Sequence, residues 1–235
     1  MRRALEALKP FVPVAVKRRV LRVLPPRLYG LVDRDWHRRA VGGRWNELGR
    51  LQFEYLRSAG LRPEHYLLDV GCGSLRGGVH FIRFLEPGHY FGIDKNPARL
   101  EAGRSVELPR YGLEGKRPLL ELVDDFNVAR LGRSFDFALA QSVFTHLPLD
   151  LIELCIANVG AVLAPGGRFY ATFYPRAPGD ADVVDRSQLP FEKDPIYRYD
   201  PDALRSLGEE AGLAVEVVAD WGHPRGQAML VLTTR

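Results

Sequence analysis

Residues 67–82, LLDVGCGSLRGGVHFI, end an apolar run on Asp69-Val70, continue with Gly71-Cys72-Gly73-Ser74, and set Arg76 just beyond. Glycine has no Cβ, so such a turn lets the backbone approach a ligand closely. If a helix begins there, its unsatisfied N–H groups favour a polar or anionic group at the same place. A second acidic residue, Asp94 with Lys95 beside it, ends another apolar run, FGID, 25 residues after Asp69. A carboxylate in that position suits the two hydroxyls of a ribose. Dinucleotide enzymes use a similar turn, but GCGS departs from their G-x-G-x-x-G fingerprint. No zinc-ligand set is visible, so no metal is expected. Cys72 reads as a small packed residue in the turn and Cys155 as core.

These side chains meet only if a sheet brings several strand ends together. The runs YLLDV (66–70), HYFGID (89–94), LLELVDD (119–125), FDFALAQSV (135–143) and GRFYATFY (167–174) read as strands. They alternate with helical patterns over 76–86, 97–107, 149–163 and 201–211. AVEVVAD (214–220) and GQAMLVLTT (226–234) close the chain as two strands too near each other for a crossover, so they pair antiparallel. The alternation predicts an α/β, doubly wound, mostly parallel seven-stranded sheet with an antiparallel last strand and helices on both faces. In such a sheet, ligands bind at the carboxyl ends of the strands, where strand order reverses.

Composition sets the outer bounds. The 235 residues are 46% hydrophobic and 26% charged, ordinary for a globular protein. Two cysteines suggest no disulfide framework and fit a reducing cytoplasm. No apolar run reaches the ~18 residues that span a membrane, and Glu6, Lys9 and prolines interrupt any signal-peptide core. Charge is uneven: residues 1–50 hold 13 Lys/Arg and four Asp/Glu, whereas the whole chain is only +4. Residues 1–60 therefore read as a basic helical extension or cap, broken by Pro10, Pro13, Pro25 and Pro26. VAVKRRVLRVL (14–24) puts apolar and basic residues on opposite sides at helical spacing. That is either a solvated helix packed on the main domain or, through residues 1–28, an anionic membrane contact. The expected location is cytoplasmic, with that contact making it peripheral at the inner membrane surface.

LLDVGCGS, FGID and VLAPGGRFYATF resemble the motifs of class I S-adenosylmethionine-dependent methyltransferases, in particular a bacterial subgroup with GCGSLRGG and AQSVFTHLP. The resemblance covers roughly residues 50–235 and makes 61–235 a methyltransferase domain with a Rossmann-like fold. It implies S-adenosylmethionine as cofactor. It implies that Asp69, Gly71, Cys72, Gly73 and Ser74 form the loop around its methionine part. Asp94 would hold the ribose, with Lys95 beside it. Asp125, or its neighbour Asp124, would meet the adenine amino group, and Phe126 would cover the ring. Gln141 and Ser142 would line the floor. Arg76 would pair with the cofactor carboxylate or with an acidic substrate, unless it is a helix-surface residue.

The topology then predicts the acceptor side. His146 follows the fourth strand and His223 the sixth, so both are candidate bases; otherwise they cap or pack. Tyr174 ends the fifth strand and opens a lid-like stretch, 175–200, with four prolines, ten charged residues and Tyr197. The turn WGHPRGQ places Trp221 and Arg225 near the acceptor. Trp45, in a helix expected over 42–56, covers cofactor or acceptor or belongs to the core. The expected reaction is methyl transfer to a small-molecule or sugar hydroxyl. The alternatives are RNA or protein methylation, or a non-catalytic cofactor-binding subunit. No aromatic-basic RNA module is visible, so nucleic acid is not the expected partner.

Overall fold

The computed structural model describes residues 33, 35–177, 179–184 and 195–234. The amphipathic segment 14–24 and the membrane contact expected of residues 1–28 lie outside the described residues.

The two central strands are short and, apart from Asp69 and Asp94, apolar. β1 (Leu67–Val70) is buried at every position, as is β2 (Tyr90–Asp94). Continuous burial is what a parallel strand covered on both faces requires. β3 (Leu119–Leu122), β4 (Phe135–Ala140) and β5 (Leu163–Pro175) complete the parallel part. β1 pairs in parallel with both β2 and β4, so strand order reverses at β1. Two short strands, β6 (Val183–Val184) and β7 (Ile196–Tyr199), arise within the stretch expected to be a lid. β7 pairs with the end of β5 at Tyr174 and Pro175. β8 (Ala214–Val218) and β9 (Ala228–Thr233) form the antiparallel hairpin, with β9 against β5. Among the described residues the main sheet thus runs β3-β2-β1-β4-β5-β9-β8, the doubly wound arrangement expected.

Alternation along each strand divides the core. Leu68, Val70, Phe91, Ile93, Ala138 and Phe169 face one side. There they meet Ile152, Cys155 and Ile156 of helix α6 (Leu149–Gly160) and Leu204 of helix α7 (Pro201–Glu210). Leu67, Tyr90, Phe137, Leu139 and Tyr170 face the other. They meet Leu56 of helix α2 (Trp45–Ser58) and Phe81 and Ile82 of helix α3 (Gly78–Phe84). Each fully buried Leu or Phe contributes about 1.5–3 kcal/mol. α2 can lie against the start of α3 because Gly49 faces it: a Cβ there would meet Arg76 O at 2.3 Å. Helix α4 (Pro97–Ala102) is capped by Asn96, whose Oδ1 accepts from Ala98 N and Arg99 N. It runs through a wider turn, Gly103–Glu107, into helix α5 (Leu108–Tyr111).

Among the described residues, helix α1 (Trp36–Ala40) is held by a buried polar cluster. Glu107, fully buried, accepts from Arg38 Nε at 2.8 Å and Arg38 Nη2 at 2.6 Å, and lies 2.5 Å from His37 Nε2. Burial alone would push the Glu107 carboxyl up, but these bonds outweigh it and hold it down at about 2. Because the sheet begins only at Leu67, deleting residues 1–28 should leave melting temperature and cofactor affinity nearly unchanged. Differential scanning calorimetry and a cofactor titration check this. A large loss of either would place the first 28 residues within the folded core.

Candidate active site

The carboxyl ends of β1, β2 and β4 and the end of β5 open on a cavity of about 320 Å³. On the β1 side, Gly71 and Gly73 take positive φ, 70° and 58°. A Cβ would strike Val143 Cγ2 at 2.6 Å from Gly71 and Val41 Cγ1 at 2.8 Å from Gly73, so the loop is shaped for glycine twice over. Gly71 N and Cys72 N both donate to Ile93 O, which ties the loop to β2. Gly73 N donates to Asp94 Oδ2 at 2.9 Å and Asn96 N to Asp94 Oδ1 at 2.8 Å. Asp94 is thus buried and fixed in orientation at the end of its strand. Phe126 and Ser142, two other predicted site residues, carry positive φ (56° and 57°) without being glycine. Backbone strain of this sort collects at functional sites.

Asp69 is also buried and accepts from Tyr90 Oη at 2.6 Å. Burial pushes its carboxyl up to about 7, against the pull of that hydrogen bond and with help from nearby Asp94. A cation bound beside it favours the ionised form and draws the pKa back down. Cofactor affinity should therefore rise as pH increases through 7, by about tenfold between about pH 6 and about pH 8. Calorimetry at several pH values checks this, and Asp69→Asn should flatten the dependence. A flat profile in the wild type would remove Asp69 from cation binding.

The structure brings most of the predicted residues to the cavity wall: Asp69, Gly71, Cys72, Gly73, Arg76, Asp94 and Lys95. Phe126, Gln141, Ser142, His146, Tyr174 and Arg225 join them from the later strands and turns. Of the acidic pair after β3, Asp124 lies on the wall, whereas Asp125 folds back to accept from Asn127 N. Cys72 has its thiol raised well above the usual range by burial, as a packed residue would. Ser74 is buried beneath the loop and reaches His37 O at 3.4 Å, so it helps to hold α1. Trp45 packs away from the cavity, with the Arg38 guanidinium 4.6 Å above its ring. Tyr197 stacks on Tyr199. Trp221 donates Nε1–H to Gln227 O at 2.8 Å and stacks on His223.

The two histidines differ in setting. His223 is buried behind Gln141, off the wall, with Nδ1 accepting from Arg225 N and Gln227 N at 3.3 Å each. Burial, then the charges of Arg225, Arg76 and Arg44, lower its pKa to about 4. It is a neutral ring at ordinary pH, poorly suited to collect a proton. His146 stands exposed on the wall, in the short turn Phe144–His146 after β4. Its Nδ1 lies 3.1 Å from Pro195 O, which fixes a proton there and makes Nε2 the basic nitrogen.

Several wall residues escape sequence reasoning because distant segments bring them in. Ala40, Val41 and Gly42 form a strap across the cavity. Three arginines hold it by successive carbonyls: Arg99 Nη2 donates to Ala40 O, Arg76 Nη1 to Val41 O and Gly43 O, and Arg225 Nη2 to Gly42 O. Gln52 of α2 and Gln227 also line the cavity, the latter accepting from Ser142 Oγ at 3.1 Å. Leu147, Leu151 and Ile196 make the wall near His146 apolar.

Comparison with known proteins finds methyltransferases. Residues 68–169 match the Methyltransf_12 family, a methyltransferase domain. Over 174 residues the chain is 27% identical to the 18S rRNA (guanine(1575)-N(7))-methyltransferase of Saccharomyces cerevisiae. That match takes in 69% of this chain and 60% of the yeast protein, so the chain spans less than two thirds of that relative's length. The fold is shared with magnesium protoporphyrin IX methyltransferase of Synechocystis PCC 6803, solved with bound S-adenosylmethionine. The TM-score is 0.63 at 13% identity, covering 93% of this chain and 97% of that one. Streptomyces venezuelae DesVI gives 0.62 at 21% identity, covering 86% and 96%. Residues 68–169 thus resemble a methyltransferase domain, and the doubly wound sheet around them is the fold of methyltransferases solved with S-adenosylmethionine.

The residues present fit that cofactor. A loop that a Cβ would obstruct at two points is shaped for close backbone approach, and Asp94 is oriented at the cavity edge. Arg99 Nε is buried without a partner on the same wall.

Proposed function

We propose that the protein methylates a hydroxyl oxygen of a small molecule or a sugar, with His146 as the base. The observation that carries this reading is His146 itself: an imidazole on the wall, at the carboxyl end of β4, with its tautomer set by Pro195 O. The bound cofactor supplies a methyl group on a sulfonium, which leaves as a neutral thioether with the bonding pair. Asp94 would hold the ribose, Phe126 and Asp124 would meet the adenine, and the 71–77 loop would take the methionine part. Arg76, Arg99 and the 40–42 strap close the cavity and exclude water. Gln141, Ser142 and Tyr174 border the space left for the acceptor, and His146 Nε2 accepts the hydroxyl proton as the oxygen–methyl bond forms.

A second reading, RNA methylation, has the yeast rRNA enzyme and the basic first fifty residues behind it. One experiment decides between them. Purified protein is incubated with cell extract and methyl-labelled cofactor, and label is measured in small molecules, RNA and protein separately. Label in small molecules is the expected result. Label confined to RNA or protein would overturn the proposal.

A further inference from the structure

We infer that the acceptor is an anion, with a carboxylate or phosphate group close to the reacting hydroxyl, and that Arg225 binds this group; the inference rests on the reading just given. It starts from the charge around the cavity. Arg76, Lys95, Arg99 and Arg225 line it, against Asp69, Asp94 and Asp124. Asp69 is only half ionised near neutrality. The cofactor brings two positive groups and one carboxylate, so the loaded site is more positive still.

The excess is localised. The Cβ position of Gly42 lies 3.1 Å from Arg225 Nη1 and 3.8 Å from Arg76 Nη1, so the two guanidiniums flank one small volume. Their hydrogen bonds go to carbonyls of the strap. Among the described residues neither has a carboxylate at ion-pair distance. Arg76 is buried, and burial together with Arg225 lowers its pKa to about 10. Two cations facing each other over a cavity with only carbonyl partners are an unfavourable arrangement unless an anion enters between them.

The cofactor offers one carboxylate for two guanidiniums. Arg76 belongs to the cofactor loop, three residues beyond Gly73, and senses Asp69. Arg225 comes from the β8–β9 turn, beside Gln227, which meets Ser142 on the acceptor side. That leaves Arg225 for the acceptor. The same cavity also has an apolar wall of Leu147, Leu151 and Ile196, suited to the uncharged body of such a molecule.

The test uses Arg225→Gln and Arg225→Lys in the full chain. In the first arm, calorimetry measures S-adenosylhomocysteine and 5′-methylthioadenosine, which lacks the amino acid end. In Arg225→Gln, loss of the bond to Gly42 O loosens the strap for both alike, so the ratio of the two affinities should stay that of the wild type. Weakened S-adenosylhomocysteine with unchanged methylthioadenosine would assign Arg225 to the cofactor carboxylate and overturn the inference. In the second arm, the small-molecule extract of the source cells is split on an anion exchanger, and each fraction is incubated with methyl-labelled cofactor. Labelled product should arise from the retained fraction, about ten- to a hundredfold more slowly with Arg225→Gln and partly restored with Arg225→Lys. Product only from the unretained fraction, or an unchanged rate with Arg225→Gln, would overturn it. No product from either fraction would overturn the small-molecule reading beneath it.

Discussion

Replacing His146 by alanine is expected to lower turnover by about 10²–10⁴-fold while leaving cofactor affinity unchanged. The expectation comes from position. His146 follows β4 in a three-residue turn, so its ring projects over the end of the sheet rather than into the core. Tyr199, on β7, donates its hydroxyl to Leu147 O and so pins the same turn to the β5 extension. Pro195 O takes the Nδ1 proton. Those two contacts set the ring's place and tautomer before any substrate enters. A hydroxyl oxygen is a poor nucleophile until its proton is drawn away, and an imidazole does that near neutral pH. The variant should also lose the acid limb of the pH–rate profile, which a merely structural histidine would not remove. Full turnover in His146→Ala would mean that placement alone drives the reaction.

Asp94→Ala is expected to weaken S-adenosylhomocysteine binding by about 10²-fold or more. A charge-assisted hydrogen bond contributes roughly 1.5–3 kcal/mol, and the carboxylate has two oxygens to offer a ribose. The same oxygens accept from Gly73 N and Asn96 N, so alanine also frees the loop. Asp94→Asn separates the two effects, because it keeps the shape and one acceptor. Its NH2 meets one of those backbone N–H groups, so its melting temperature should fall, but less than with alanine, while most of the affinity is lost. Calorimetry on both variants checks this, and wild-type affinity in Asp94→Asn would mean the ribose is held elsewhere.

The sheet was readable because its signals are local. Buried parallel strands are continuous apolar runs, glycine pairs mark the turn at Gly71 and Gly73, and the final hairpin is too short to cross over. That Asp69, Asp94 and Gln141 line the cavity fits the same logic, since each ends or follows a strand; their roles toward a cofactor come from the resemblance alone. What escaped depends on contacts between distant segments. Nothing near Ala40–Gly42 announces a strap; it is fixed by Glu107, Ser74 and three arginines from three other elements. His223 has the right topology for a base, yet burial and the charges around it leave it neutral behind Gln141. Trp45 reads equally well as a lid or as core, and the Arg38 and Glu107 contacts beneath α1 decide it. Asp124 and Asp125 are indistinguishable by type, and the strained turn at Phe126 selects which faces the cavity. The strands β6 and β7 lie in a polar, Pro-rich stretch whose pairing depends on the exposed end of β5.

The most direct test of the whole reading is the crystal structure of the full chain with S-adenosylhomocysteine bound. The ribose hydroxyls should lie on Asp94, the adenine against Phe126 and Asp124, and the amino acid carboxylate nearest Arg76. The sulfur should then open toward the space between His146, Tyr174 and Arg225. A ligand whose ribose leaves Asp94 untouched, or whose sulfur faces away from His146, would contradict it.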